Sequence, residues 1–493
     1  MKKRSSPPGA TADPARCPAA EKTIGVTIEA MGAQGHGVAL AAGRKVYIPF
    51  TLPGETIRAQ IAGTKGEAIA IDHASPDRIA PLCRHFGVCG GCSLQHWREA
   101  PYAEWKVGLV KATLAREGLD APIEPLRIYP AASRRRATFT ALKENGDVKL
   151  GFNATRSHDL VALAECPILL PPIAFALPHL RAALAAALPN RSEAKVHVTA
   201  AENGLDCSIE APRLTAQGVS RVAEMLPLAG VIRAAWSGEI VFLKGALFVR
   251  AGDEKVMLPQ GAFLQAVEAC ERDMAVFVGE TLAEAKSSKG PVCDLFAGLG
   301  AFTFPCAKLA AVTAYEENAE AVAALNGAAQ GASGIKPVKA IRRDLFRNPL
   351  GPMELNAFSA AIADPPREGA EAQSRALAAS RLPTVVMLSC NPVTFTRDAA
   401  ILAAGGFTVT RLALFDQFRF SPHVEIAAAF TRADSKKGSA RPQTVINTKL
   451  RGVRRPGFGR SAVNDARTRL AFRNGDRTRL HRLGKLALQV DVK

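Results

Sequence analysis

The chain has no apolar run approaching the roughly 18 residues needed to cross a bilayer. Its opening, MKKRSSPPGATADPARCPAA, carries basic residues but no apolar stretch behind them, which argues against a secretory signal. The expectation is a cytoplasmic protein without a membrane-spanning segment. Cysteine is also scarce: ten in 493 residues are too few for a disulfide scaffold. Because cytosolic thiols stay reduced, any clustered cysteines point to metal binding or to chemistry. Length and apolar content are not lacking, since 493 residues at 48% hydrophobic provide for two or three domains.

Acidic residues are outnumbered, 45 against 63 basic, and a net charge of +18 suggests a nucleic-acid partner. The excess is unevenly placed. Residues 433–493 hold 16 Lys or Arg against 4 Asp, whereas residues 1–432 hold 47 basic and 41 acidic residues. Like-charge blocks of this kind read first as solvated tails and only second as RNA-binding arms.

Residues 1–21 are rich in Pro, Ala and Ser without periodicity and read as a disordered leader. From residue 22 to 80, short alternating runs such as TIGVTIEAM, KVYIPF and ETIRAQIAG are separated by glycines, as in a small antiparallel barrel. A central segment, 81–255, bears clustered cysteines, a helical pattern near 100–117 and strand-like runs such as RRRATFTAL. From 256 to 432, apolar runs (PVCDLFA, AVTAYEE, VKAIRRD, AAIADPP, TVVMLSC) alternate with Ala-rich stretches, which predicts an α/β unit with a mostly parallel sheet. Residues 433–493 are expected to be disordered.

Within that unit the segment Asp294-Leu-Phe296-Ala-Gly298-Leu-Gly300 passes from strand through a glycine turn towards a helix. The third glycine of a dinucleotide fingerprint is absent, which disfavours NAD. The next strand ends in Glu316, placed where a carboxylate can bind ribose hydroxyls, so adenosine is the natural ligand. Asp344 and Asp364 end the two following strands, and ligands of open parallel sheets bind at those ends. Asp364 opens the run Asp364-Pro-Pro-Arg367-Glu-Gly369, whose prolines fix the backbone. Arg367 stands where amino-group methyltransferases usually carry a stacking aromatic, which argues against N-methylation.

The strand TVVMLS runs into Cys390, followed by Asn391-Pro392. A thiol there can add to carbon 6 of a pyrimidine and activate carbon 5 for methyl transfer. Resolution of that adduct needs a base to remove the carbon 5 proton, and Glu425 in SPHVEI is the candidate. Cys83, Cys89, Cys92 and the distant Cys166 form a quartet whose spacing suits either zinc or a [4Fe-4S] cluster.

The ordered stretches PLCRHFGVCGGCSLQHW, RRRATF, ECPIL, GAFLQ, CDLFAGLGAFTFP, YEENAEAV, DPPREG, LSCNPVTFTRD and DQFRFSPHVEIAAAF resemble the RNA 5-methyluridine methyltransferase family over roughly residues 22–432. The resemblance implies a Rossmann-like domain dependent on S-adenosylmethionine, an N-terminal TRAM-like (OB-type) barrel that binds RNA, and a mixed central domain. It implies cofactor contacts at Gln265, Phe296, Glu316, Asp344 and Asp364, with Cys390 as nucleophile and Glu425 as base. It assigns a [4Fe-4S] cluster to Cys83, Cys89, Cys92 and Cys166. The iron-sulfur branch acts chiefly on large-subunit rRNA, so 23S rRNA is the expected partner, with no obligate protein partner. Ala301 and Val267 depart from the family, which usually has polar residues there. The competing readings are a tRNA uridine-C5 or a cytidine-C5 methyltransferase, and a non-catalytic RNA-binding or ribosome-assembly factor. Arg134, Arg135 and Arg136 are expected to meet phosphates.

Overall fold

The computed structural model describes residues 23–155, 157–285 and 290–432; the leader and the basic tail lie outside them. Among the described residues, no helix is long and apolar enough to cross a membrane.

The largest sheet has eight strands. Their order is Val338–Arg342, Val312–Glu316, Val292–Leu295, Ala360–Ala363, Thr384–Ser389, Glu425–Arg432, Phe407–Asp416 and Arg127–Ile128. The first five are mutually parallel, and Glu425–Arg432 runs antiparallel to both its neighbours. The central strands are buried throughout their length, which is why they read as unbroken apolar runs. Alternation sends successive side chains to opposite faces. Cys293, Leu295, Val385, Met387, Ala428 and Phe430 pack beneath the helices Glu371–Ala379 and Pro392–Ala404, with Leu377, Phe395 and Leu402. Val292, Val386, Leu388, Ala427 and Ala429 pack on the other face against Met274, Phe277 and Val278 of helix Glu268–Glu284. The result is a three-layer sandwich.

Residues 23–73 form a closed five-stranded barrel around Val26, Ile28, Val46, Ile48 and Ile57. A seven-stranded sheet follows, in the order Glu239–Leu243, Val231–Trp236, Gly204–Glu210, Ser192–Ala201, Arg136–Glu144, Asp147–Asn153 and Leu160–Ala162. Helix Pro171–Ala187 covers it through Ile173, Leu177, Leu180 and Leu184.

One stretch departs from the expected central segment 81–255. The helix Glu99–Arg116 packs Val110 and Leu114 against the large sheet, and Arg127–Ile128 extends that sheet's edge. A buried ion pair anchors the helix: Lys106 Nζ donates to Asp416 Oδ1 at 2.6 Å and to the His423 carbonyl, while Tyr102 donates to Asp416 Oδ2 at 2.6 Å.

Candidate active site

The carboxyl edge of the parallel strands gathers the predicted residues because each follows immediately on a strand. Phe296 follows Leu295, Asp364 follows Ala363, Cys390 follows Ser389, and Glu316 is the last residue of its own strand. Glu425 comes to the same edge by another route. It begins an antiparallel strand in which Ile426 pairs with Ser389, so Glu425 and Cys390 each lie one residue beyond that last pair.

The glycine turn is shaped as a cradle. Phe296 takes a left-handed backbone, φ 62°, and Gly298 follows at φ 56° with open space where a Cβ would stand. The Gly298 N–H donates to Glu316 Oε2 at 2.9 Å, and the Asn318 N–H donates to Glu316 Oε1 at 2.9 Å. The Phe296 ring lies 5.4 Å from that of Phe346. Asp344 Oδ1 accepts from the backbone N–H groups of Phe346 and Arg347 at 3.0 Å each, so its carboxylate organises the loop that presents Phe346.

Asp294 was not singled out from sequence as a site residue. It is fully buried; Thr303 donates to its Oδ2 at 2.5 Å, while Oδ1 has no hydrogen-bond partner. Burial, and after it the carboxylates of Asp364 and Glu316, raise its pKa to about 7 despite the Thr303 hydrogen bond. A buried orphan oxygen beside an open glycine turn fits a cationic ligand such as S-adenosylmethionine. The signal available in sequence was a lone acid inside the apolar run VCDLF.

The Asp364 loop is tied to the Cys390 loop. The carbonyl of Arg367 accepts from Asn391 Nδ2 and from Thr394 Oγ1, at 3.1 Å each. Gly369 closes the loop at φ 74°, where a Cβ would lie 2.6 Å from Asp398 Oδ2. Asn391 also caps the following helix by accepting from the Val393 N–H.

The three consecutive arginines do not act alike, which corrects the expectation that all face phosphates. Arg135 points inward at 4% exposure. It pairs with Glu271 at 2.5 Å and donates from Nε to the Gln265 carbonyl at 2.9 Å. Arg134, at an isolated bridge, and Arg136, the first residue of its strand, are half-buried. Arg136 stacks on Phe263 at 4.3 Å and lies within electrostatic reach of both Glu425 and Cys390. Burial first, then Arg134 and Arg135, lowers its pKa to about 10, which leaves it cationic at neutral pH. His423, by contrast, is pushed down to about 4, by burial first and then by Arg367, Lys106 and Arg134, and is neutral there.

The cysteine quartet also converges. Cys83, Cys89, Cys92 and Cys166 line one small cavity with Phe86, Phe152 and Ile168. Burial raises Cys92 to about 12 and Cys166 to about 11. Tetrahedral zinc would draw four sulfurs to about 3.8 Å from one another. Among the described residues, no group of three or more His, Cys, Asp or Glu is placed to hold a metal ion.

Strand order, glycine cradle and buried acids at the carboxyl edge together define an S-adenosylmethionine-dependent methyltransferase fold. A solved structure shares it: the tRNA (uracil-54, C5)-methyltransferase of Pyrococcus abyssi in complex with S-adenosyl-L-homocysteine. That chain is 20% identical, with a TM-score of 0.64 over 82% of this chain and 98% of that one. Residues 241–433 match the tRNA (Uracil-5-)-methyltransferase family. An RNA methyltransferase of Caulobacter vibrioides is 42% identical over 83% of this chain and 99% of its own length. The 23S rRNA (uracil(1939)-C(5))-methyltransferase RlmD of Halomonas elongata is 33% identical over 84% of this chain and 90% of its own. The chain belongs to the RNA uracil-5-methyltransferase family and is an S-adenosylmethionine-dependent enzyme of it.

Proposed function

We propose that the protein methylates carbon 5 of a uridine in 23S rRNA, with Cys390 as nucleophile and Glu425 as base. The observation that supports this reading is that Cys390 and Glu425 each lie one residue beyond the paired Ser389 and Ile426, and both lie within electrostatic reach of Arg136. Gln265, Phe296, Glu316 and Asp364 would hold the cofactor, Asp294 would offset its positive charge, and Asp344 shapes the adjoining loop. S-adenosylmethionine supplies an electrophilic methyl group when bound. The Cys390 thiolate adds to carbon 6 of uracil, which makes carbon 5 nucleophilic. Glu425 then takes the proton from carbon 5, and the thiolate departs. Arg134 and Arg136 carry the positive charge that receives the backbone of a flipped nucleotide.

The five-stranded barrel fits the TRAM-like role of an oligonucleotide-binding module. The four cysteines are assigned a [4Fe-4S] cluster. In such a cluster the four thiolates would each bind a separate iron without the crowding that zinc requires, and iron would offset the cost of ionising thiols that burial has raised. The rRNA assignment draws on the Halomonas relative. The test is methyl transfer from labelled S-adenosylmethionine to unmodified 23S rRNA and to unmodified tRNA. Incorporation into rRNA alone is expected; incorporation into tRNA alone would overturn the assignment.

A further inference from the structure

Glu425 accepts from a buried amide, Gln417, that also joins it to Gln265. Gln417, at 4% exposure, donates from Nε2 to Glu425 Oε2 at 2.8 Å and to Gln265 Oε1 at 2.8 Å. Its own Oε1 accepts from the Val267 N–H at 3.3 Å. Gln265 in turn donates from Nε2 to Asp364 Oδ2 at 3.0 Å. The polarity of this chain is forced. A backbone N–H only donates, so it selects the oxygen end of Gln417 and turns both amide hydrogens towards Gln265 and Glu425. Gln265 must then present its oxygen to Gln417 and its amino group to Asp364.

Gln417 is itself firmly placed. It follows Asp416, whose two oxygens are taken by Tyr102 and Lys106 inside the protein. Position 267 offers only its main chain, because Val267 has no polar side chain. The amide donor beside the base therefore comes from residue 417.

We infer that Gln417 is the positioning residue that aims the Glu425 carboxylate for proton abstraction; the inference rests on the reading of Glu425 as the base. After methylation, carbon 5 of the adduct carries both the methyl group and its original hydrogen. Glu425 takes that proton, the carbon–hydrogen pair re-forms the carbon 5–carbon 6 double bond, and the carbon 6–sulfur bond breaks with its pair going to Cys390. This step depends on carboxylate orientation, whereas adduct formation does not.

The test uses the full-length protein with Gln417→Met, which keeps length and loses the donor, and with Gln417→Glu, which replaces the donor by a like charge. It is read in whichever variant melts within a few degrees of wild type. RNA tritiated at uridine carbon 5 reports abstraction, and denaturant-stable, methyl-labelled protein–RNA adduct reports the steps before it. The expected result is adduct formation within about threefold of wild type and tritium release slowed about ten- to a hundredfold, the range set by a hydrogen bond to a charged group. Tritium release at the wild-type rate would overturn the inference. So would formation and release falling together, the mark of a merely structural role. Absence of tritium release by the wild-type enzyme would instead defeat the reading of Cys390 and Glu425.

Discussion

Cofactor binding beside Asp294 is expected to be linked to release of a proton from its carboxyl. Its carboxyl is fully buried, its Oδ1 lacks a partner, and its pKa stands near 7 against an ordinary 3.8, mainly through burial. Three units correspond to about 4 kcal/mol separating the two protonation states. The folded state therefore holds this proton more tightly than the unfolded one between about pH 4 and pH 7. The ligand-free protein accordingly loses stability as pH rises through that window. A cationic cofactor prefers the ionised acid. Below about pH 7 its affinity for S-adenosylmethionine should fall towards tenfold per pH unit, with about one proton released per molecule bound at pH 6. Calorimetry in buffers of differing ionisation enthalpy reads the proton count. Asp294→Asn, which mimics the protonated form, should stabilise the ligand-free protein at pH 8, weaken cofactor binding and remove the pH dependence. An affinity that is flat from pH 5.5 to 8 in the wild type, or unchanged in Asp294→Asn, would refute the reasoning.

Two further outcomes follow from buried charge and from the cysteines. Arg135→Leu strands Glu271, whose pKa burial already raises, and should cost about 3–5 kcal/mol in denaturant unfolding, with much of it recovered in Arg135→Leu with Glu271→Leu. A single-variant cost below about 1 kcal/mol would show that the pair is not desolvated. Protein purified without oxygen should contain about four irons and absorb visible light, and Cys92→Ser should lose both and melt lower. Iron-free wild-type protein with unaltered melting in Cys92→Ser would remove the cluster.

Much of this was legible in the chain because fully buried parallel strands must be apolar along their whole length. Such strands end at one edge of the sheet, so PVCDLFA, AAIADPP and TVVMLSC marked the strand ends that Phe296, Asp364 and Cys390 follow. The barrel was legible for a related reason, its alternation and glycine-punctuated turns. What stayed hidden depended on contacts between distant residues. Gln417 meets Gln265 across 152 positions, and nothing local marks a glutamine that aims a base. The inward turn of Arg135 required knowing that Glu271 lies beneath that strand. Helix Glu99–Arg116 joined the large sheet rather than the central one because its partner Asp416 lies 310 positions away.

The central claim is that Cys390 and Glu425 act in sequence on one uridine. It is tested most directly by incubating wild type, Cys390→Ala and Glu425→Gln with S-adenosylmethionine and RNA tritiated at uridine carbon 5. Wild type should release tritium and leave methylated RNA, Cys390→Ala should do neither, and Glu425→Gln should accumulate a methylated covalent adduct that retains tritium. Full tritium release by Cys390→Ala, or free turnover by Glu425→Gln without adduct, would contradict the account.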